Sequence, residues 1–302
     1  MAKDIMTQGT NRVNIVGKLV SVTHREGKTS TGKNYVSGNL IVRTEQSYFG
    51  NDELSEISVS FFSTALTNKG TVNPAYENIQ KLREFKTVQN VGLDEADTIR
   101  ITGASLAENM FIAKNSNQLV DTWTIKASFF NKGNSPEVAS YCVDAFIFDK
   151  RPEVDREGEE TGRVIVKGGI VQYGGVLDIV EFIAEDSMVV DHITRNWEDN
   201  STVQIKGRIR AVTKEDNRAT VQSSSWGEAI PEPNSTRVVR ELIITGGSDE
   251  PYDEEFGYDP TDIRKAFADR KARIEELRMD KAPKTVKPAE PAKKKLTYTW
   301  EE

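Results

Sequence analysis

From Arg12 onward apolar and polar positions alternate. Val13, Ile15, Gly17 and Leu19 are separated by Asn14, Val16 and Lys18, and Ile57, Val59 and Phe61 by Ser58 and Ser60. The same period of two returns at Ile99-Ile101-Gly103 and at Trp123-Ile125-Ala127-Phe129. A period of two predicts strands with one buried face. It places Phe61, Trp123 and Phe129 in a core and leaves Phe62 on the polar side. One helix interrupts the strands. Asn73 suits its cap and Pro74 its first turn, and Ala75, Ile79, Leu82 and Phe85 form one stripe.

The order strand, hairpin, strand, strand, helix, strand is that of an OB-fold barrel. Residues 151–162 are charged and lack apolar periodicity, which predicts a linker. The pattern then restarts. Arg163–Gly168 echoes Arg12–Gly17, and Thr202–Gly207 echoes Thr98–Gly103, with a helix expected over Ser187–Trp197 and a closing strand over Val238–Thr245. The expected fold is mainly β: two OB-fold-like five-stranded barrels in tandem, each with one helix, plus a flexible C-terminal tail. The expected divisions are 1–150, a linker at 151–162, a smaller domain at 163–248 and a tail at 249–302. Within the tail a charged amphipathic helix is expected over 261–280, with Ile263, Phe267, Ile274 and Leu277 as its apolar side. Residues 282–295 are rich in Ala, Pro and Lys, a disordered composition.

Charge sharpens this picture only locally. The 302 residues sum to −7. Residues 11–44 hold Arg12, Lys18, Arg25, Lys28, Lys33 and Arg43 against Glu26 alone, whereas residues 249–262 hold seven acids and no Lys or Arg. A basic hairpin and a separate acidic strip suggest a polyanionic partner. No run of 18 apolar residues predicts a membrane helix, and the first residues have no apolar signal core. The one cysteine, Cys142, excludes an internal disulfide and a zinc site built from several thiolates. These features fit a cytoplasm, that of a bacterium or of a phage-infected host.

Gly27, Gly32 and Lys33 spell the G-x-x-x-x-G-K of a phosphate-binding loop, but Asn34 stands where Ser or Thr should hold Mg²⁺, and the residues that follow read as a strand rather than a helix. A hairpin tip is the better reading. His24 and His192 lie in different halves and are expected on the surface or binding phosphate rather than ligating metal. No cluster has metal-ligand spacing, so no catalytic residue, metal or cofactor is expected. A carboxylate-only nuclease site remains an alternative, because its acids need only meet in space. Binding is better supplied. Single strands are held by cations and by aromatic faces on which bases stack. Tyr48 and Phe49, in a polar loop, and Phe62 are the stacking candidates; Tyr35 and Phe111 are further rings among the basic side chains. Lys206, Arg208 and Arg210 share one strand face, either solvated or touching phosphates.

"NRVNIVGKL" (11–19), "TSTGKNYVSGNLIVRT" (29–44), "EISVSFFSTAL" (56–66) and "ADTIRITGASL" (96–106) resemble the strands of bacterial single-stranded DNA-binding proteins (SSB). The resemblance covers residues 11–130 in patches, and the family's fold agrees with the strand order. It implies stacking roles for Tyr48, Phe49, Phe62 and Phe111 and phosphate contacts for Arg12, Lys33 and Arg43. It departs where the family's Trp is Ile57, in the second barrel, and in the ending Tyr-Thr-Trp-Glu-Glu, so homo-oligomerisation stays open. The implied function is to coat single-stranded DNA during replication, recombination or repair, with a divergent, phage-like character. Replication and recombination proteins are then partners of the tail, through Asp253, Glu254, Glu255, Phe256, Tyr298 and Trp300. The alternative is a tandem OB-fold adaptor or structural phage protein that binds other proteins.

Overall fold

The computed structural model describes residues 6–48, 51–113, 116–134, 136–216 and 235–280. The protein is mainly β. Its first long strand, β1 (Asn11–Lys28), buries Val13 and Ile15 and exposes Arg12 and Asn14. A bulge between Leu19 and Ser21 shifts the phase, so that Val22 and His24 turn inward further along. β2 (Asn34–Tyr48) and β3 (Asn51–Thr64) form a hairpin, with Ile57, Val59 and Phe61 buried and Phe62 outside.

Helix α1 (Pro74–Lys81) follows. The Asn73 side chain accepts from the Ala75 N–H at 3.1 Å, Pro74 opens the first turn, and Ile79 is buried. A single turn, α2 (Val88–Val91), precedes β4 (Thr98–Ile112) and β5 (Leu119–Lys126). The expected alternation stops there. β6 (Phe129–Lys132) is a separate strand, so Phe129 is exposed and Phe130 buried, the reverse of the expectation. The break at Ala127-Ser128 resets which residues face the core.

β7 (Val138–Val154), β8 (Glu160–Gln172), β9 (Val176–Ala184), helix α3 (Ser187–Asn196), β10 (Thr202–Asp216) and β11 (Ser235–Gly247) complete the sheet. Asp186 caps α3, accepting from Met188 and Val189. The expected boundary at residue 150 therefore falls inside β7. The expected linker 151–162 is the β7–β8 hairpin, with Pro152 opposite Val164 and Val154 opposite Glu160. Its turn is tied by Asp155, whose carboxylate accepts from the Glu157 and Glu159 N–H groups. These arms project beyond the core, so they need no buried face and carry no apolar alternation.

The pairings trace two circuits. β1 pairs β2, β2 pairs β3, β3 pairs β5 in parallel, β5 pairs β4, and β4 returns to β1. β7 pairs β8, β8 pairs β9, β9 meets β11 in parallel, β11 pairs β10, and β10 returns to β7. In each, the helix lies between the third and fourth strands. The Thr98–Gly103 and Thr202–Gly207 echo falls on these fourth strands. The Arg12–Gly17 and Arg163–Gly168 echo does not correspond, because Arg163–Gly168 lies on β8, a second strand.

β1 also pairs antiparallel with β7, which joins the circuits. Ile15 lies opposite Ile101 as Val143 lies opposite Ile205, and Lys18 opposite Thr98 as Phe146 opposite Thr202. By that correspondence Arg12 matches Ser140 and Asn14 matches Cys142. Since Arg12 pairs Cys142 and Asn14 pairs Ser140, a local pseudo-two-fold axis passes through the Val13–Tyr141 pair. One hydrophobic core runs through both circuits.

The described part of the tail is not loose. The Tyr252 N–H donates to the Thr202 carbonyl at 2.8 Å, and the Tyr252 hydroxyl to Asp144 at 3.0 Å. Helix α4 (Pro260–Asp280) lays Ile263 and Ala266 on Phe146, Val171 and Leu177, forming a second small core. Its Arg270 is buried against Glu108, with Asp121 at 2.6 Å. Among the described residues no helix is long and apolar enough to cross a membrane.

Candidate nucleic-acid interface

The glycine pattern near residue 30 is resolved by the turn between β1 and β2. Thr29 and Lys33 are joined by a backbone hydrogen bond of 2.8 Å, and Gly32 takes φ 79°, a conformation that favours glycine. Gly27 sits in β1 opposite Tyr35. A Cβ there would stand 2.7 Å from the Tyr35 hydroxyl, so the glycine lets the Tyr35 ring lie over β1. These two glycines shape a hairpin rather than cradle a phosphate.

Tyr35 then meets Phe62. Their ring centroids are 5.4 Å apart and tilted by 31°, and Phe62 is 57% exposed. Ser37 lies directly opposite both Phe62 and Arg25, which puts Arg25, Ser37 and Phe62 in one row on the outer face. The next row is Thr23, Asn39, Ser60 and Lys126. The Ser60 hydroxyl donates to Asn39 at 2.8 Å and shares a 3.2 Å hydrogen bond with Thr124. Among the described residues no carboxylate lies within ion-pair distance of Arg25, Lys28, Lys33 or Lys126. Glu26 is drawn to helix α1 and the turn after it, accepting from Gln80 at 2.7 Å and Arg83 at 2.6 Å. The result is a face with two rings, several hydroxyls and amides, and uncommitted cations.

Other expected site residues are engaged elsewhere. The Lys18 ammonium donates to the Ala96 carbonyl at 2.9 Å and steadies the loop before β4. Arg43 is held by Glu56 at 2.6 Å. Arg208 and Arg210 are not a phosphate-binding face. Arg208 is buried and bridges Glu53 and Glu185, and Arg210 bridges Glu185 and Glu241. Burial pushes the Glu241 carboxyl up, but hydrogen bonds from Arg163 and Arg210 outweigh it and hold it below its ordinary range. This network locks the β2–β3 hairpin of the first circuit onto β10 of the second. His24 also departs from expectation. It faces inward, 5.3 Å from the Phe61 ring and 3.3 Å from the Ile79 carbonyl, and burial lowers its pKa.

Phe111 is exposed at the far end of β4, opposite Val120, on the phase shared by Asn109. Tyr48 ends β2 opposite Asn51. Phe49, Tyr298 and Trp300 lie outside the described residues. Asp253, Glu254, Glu255 and Phe256 form an exposed turn closed by hydrogen bonds from the Phe256 and Gly257 N–H groups to the Asp253 carbonyl. Among the described residues no group of three or more His, Cys, Asp or Glu is placed to hold a metal, so the nuclease alternative finds no such cluster.

Two features escape sequence reasoning. Tyr173, 90% exposed, tips the β8–β9 hairpin, where Gly174 and Gly175 both have positive φ. The β8–β9 connection is the second circuit's counterpart of the β2–β3 connection, and an aromatic followed by glycine in both stretches of sequence was the available signal. A groove of about 630 Å³ crosses the β1–β7 pairing, lined by Arg12, Asn14, Ser140, Cys142 and Lys206 among others. Only pairing across the two halves of the chain reveals it.

Over residues 10–280 the sequence matches the family model described as YorF. The chain belongs to the YorF family. A search of curated proteins returns no match. Among solved structures, this YorF-family chain is similar to the wild-type single-stranded DNA binding protein from Thermus aquaticus. The TM-score is 0.48 at 10% identity, covering 82% of this chain and 95% of that one. A deletion mutant of the Thermus aquaticus protein gives 0.47 at 12%, covering 82% and 98%. A replication protein A heterotrimer bound to ssDNA gives 0.20 at 12%, covering 90% and 70%. At these scores a functional reading of the YorF-family chain has to rest on its own geometry.

Proposed function

We propose that the chain binds single-stranded DNA without acting on it chemically, and that its two strand circuits are tandem OB folds. The observation that carries this reading is the outer face of β1, β2, β3 and β5. Tyr35 and Phe62 offer adjacent ring faces to bases there, and Arg25, Lys28 and Lys126, with no carboxylate at ion-pair distance among the described residues, stand nearby for phosphates. Hydroxyl and amide side chains fill the space between, which suits a ligand read by stacking and backbone charge rather than by base edges. An exposed phenylalanine on a strand's polar side, held against a tyrosine by a glycine opposite, has no role in the core.

Phosphate contacts are assigned to Arg25, Lys28, Lys33 and Lys126, and stacking to Tyr35 and Phe62, with Phe111 further along the same barrel. Coating of exposed strands in replication, recombination or repair follows from this chemistry, since stacking of this kind is indifferent to sequence. The test is anisotropy of a labelled oligo-dT titrated with the full chain at low and high salt, with duplex DNA as competitor. Saturable binding weakened by salt and little displaced by duplex supports the reading. No binding at low salt would sink it and turn attention to the protein-adaptor alternative.

A further inference from the structure

Arg12, Cys142 and Lys206 form one row across three strands, because Cys142 lies directly opposite Arg12 on one side and Lys206 on the other. Directly opposed residues of antiparallel strands point to the same face. With neighbours 4.5–5.5 Å apart, the two cations start about 10 Å from each other across the cysteine. Both are exposed, and among the described residues neither has a carboxylate within ion-pair distance. The row lines the groove of about 630 Å³ at the seam of the two circuits, and among the described residues no Asp or Glu lines it with them. The nearest acid on β7, Asp144, is already occupied. Its carboxylate accepts from the Thr10 N–H at 2.7 Å, from Tyr252 at 3.0 Å and from Gln204 at 3.3 Å. The pseudo-two-fold axis makes the feature one-sided. The equivalent positions to Arg12 and Cys142 are Ser140 and Asn14, which are polar and uncharged.

We infer that this row is a phosphodiester-binding site over which a bound single strand passes from the first circuit to the second. The inference rests on the single-stranded DNA reading and adds to it a path. Two long cationic side chains flanking a shallow groove can share one phosphate or take two successive ones, and the neighbouring Asn14 and Ser140 can donate to its oxygens.

Cys142 supplies the test, because it is the only cysteine in the sequence. The full chain is labelled with N-ethylmaleimide, free or saturated with oligo-dT. One oligomer is about 30 nucleotides, enough for two OB folds at roughly 4–16 nucleotides each, and one is about 8. The expected result is labelling several-fold slower under the long oligomer and unchanged under the short one. The Arg12→Ala/Lys206→Ala double variant, checked for an unchanged melting temperature, should lower the slope of log affinity against log salt by about 0.7 if the two cations share one phosphate and by about 1.4 if they take two, from about 0.7 per phosphate contact on a single strand. The long oligomer binding with an unchanged labelling rate, and the double variant keeping the full slope, would overturn the inference while leaving the function standing. No oligomer binding at all would remove both.

Discussion

Phe62 carries the sharpest prediction at the scale of single residues. Stacking of one base is worth about 1–3 kcal/mol, so Phe62→Ala should weaken oligo-dT binding about 5–150-fold. Because the ring is exposed, thermal melting should hardly move. An equal loss of melting temperature would make Phe62 a packing residue instead. The exposure of Phe62 was legible beforehand, since it falls on the polar phase of its strand beside Ser58 and Ser60. That of Phe129 was not, because a two-residue interruption between strands inverts the phase without leaving a mark in composition. Asp178 makes a second prediction. Burial raises its pKa, against opposing pulls from the Glu108 N–H, Lys126 and Arg273. A carboxyl whose folded pKa is raised keeps its proton in the folded state after the unfolded chain has lost it. Stability present below the ordinary value of about 3.9 is then lost as pH rises through the folded pKa. Asp178→Asn should therefore melt higher than the parent near pH 7, with the gap closing as pH falls toward 4. A gap independent of pH would refute this origin.

Among the elements, α4 is the one the sequence described least well. Its periodicity offered Ile263, Phe267, Ile274 and Leu277 as an apolar side. The buried side instead runs through Ile263, Ala266 and Arg270, and a charged residue in that stripe hides it from a hydrophobic count. Burial raises the Glu108 pKa even against the Arg270 guanidinium. Removing Arg270 would leave Glu108 buried without its cation, a change that costs about 3–5 kcal/mol. Arg270→Ala is expected to lower the melting temperature by about 10 °C, at roughly 2–4 °C per kcal/mol for a domain of this size. Truncation separates the tail's parts. Removal of residues 281–302 should leave melting unchanged. Removal of 260–302 should destabilise the chain, because Phe146, Val171 and Leu177 lose their cover. Equal melting of the two truncations would show that α4 adds nothing. The hairpin at 151–162 teaches the complementary lesson: charge without periodicity marked exposure, and exposure was mistaken for a linker.

For the whole molecule, the recurrence of one strand order was visible in the Thr98–Gly103 and Thr202–Gly207 echo, but the way the two circuits join was not. Strand pairing between β1 and β7 links residues more than a hundred positions apart, and nothing local in either segment specifies it. That pairing, the shared core and the arginine–glutamate network make independent unfolding of the halves costly. A single calorimetric transition is expected, matched by circular dichroism on denaturant titration. Two resolved transitions would show that the seam is superficial.

The parallel closures have a consequence of their own. The first circuit closes by two residue pairs, Val59–Ile125 and Ser60–Lys126, and the second by one, Ile183–Ile243. Each circuit is a split ring with its thinnest joint known in advance, and native-state amide exchange should be fastest there among the long strands. In the first ring that joint includes Ser60 and Lys126, both on the face assigned to the nucleic acid. A strand lying across them would act as a splint, slowing exchange at a joint whose own hydrogen bonds it never touches.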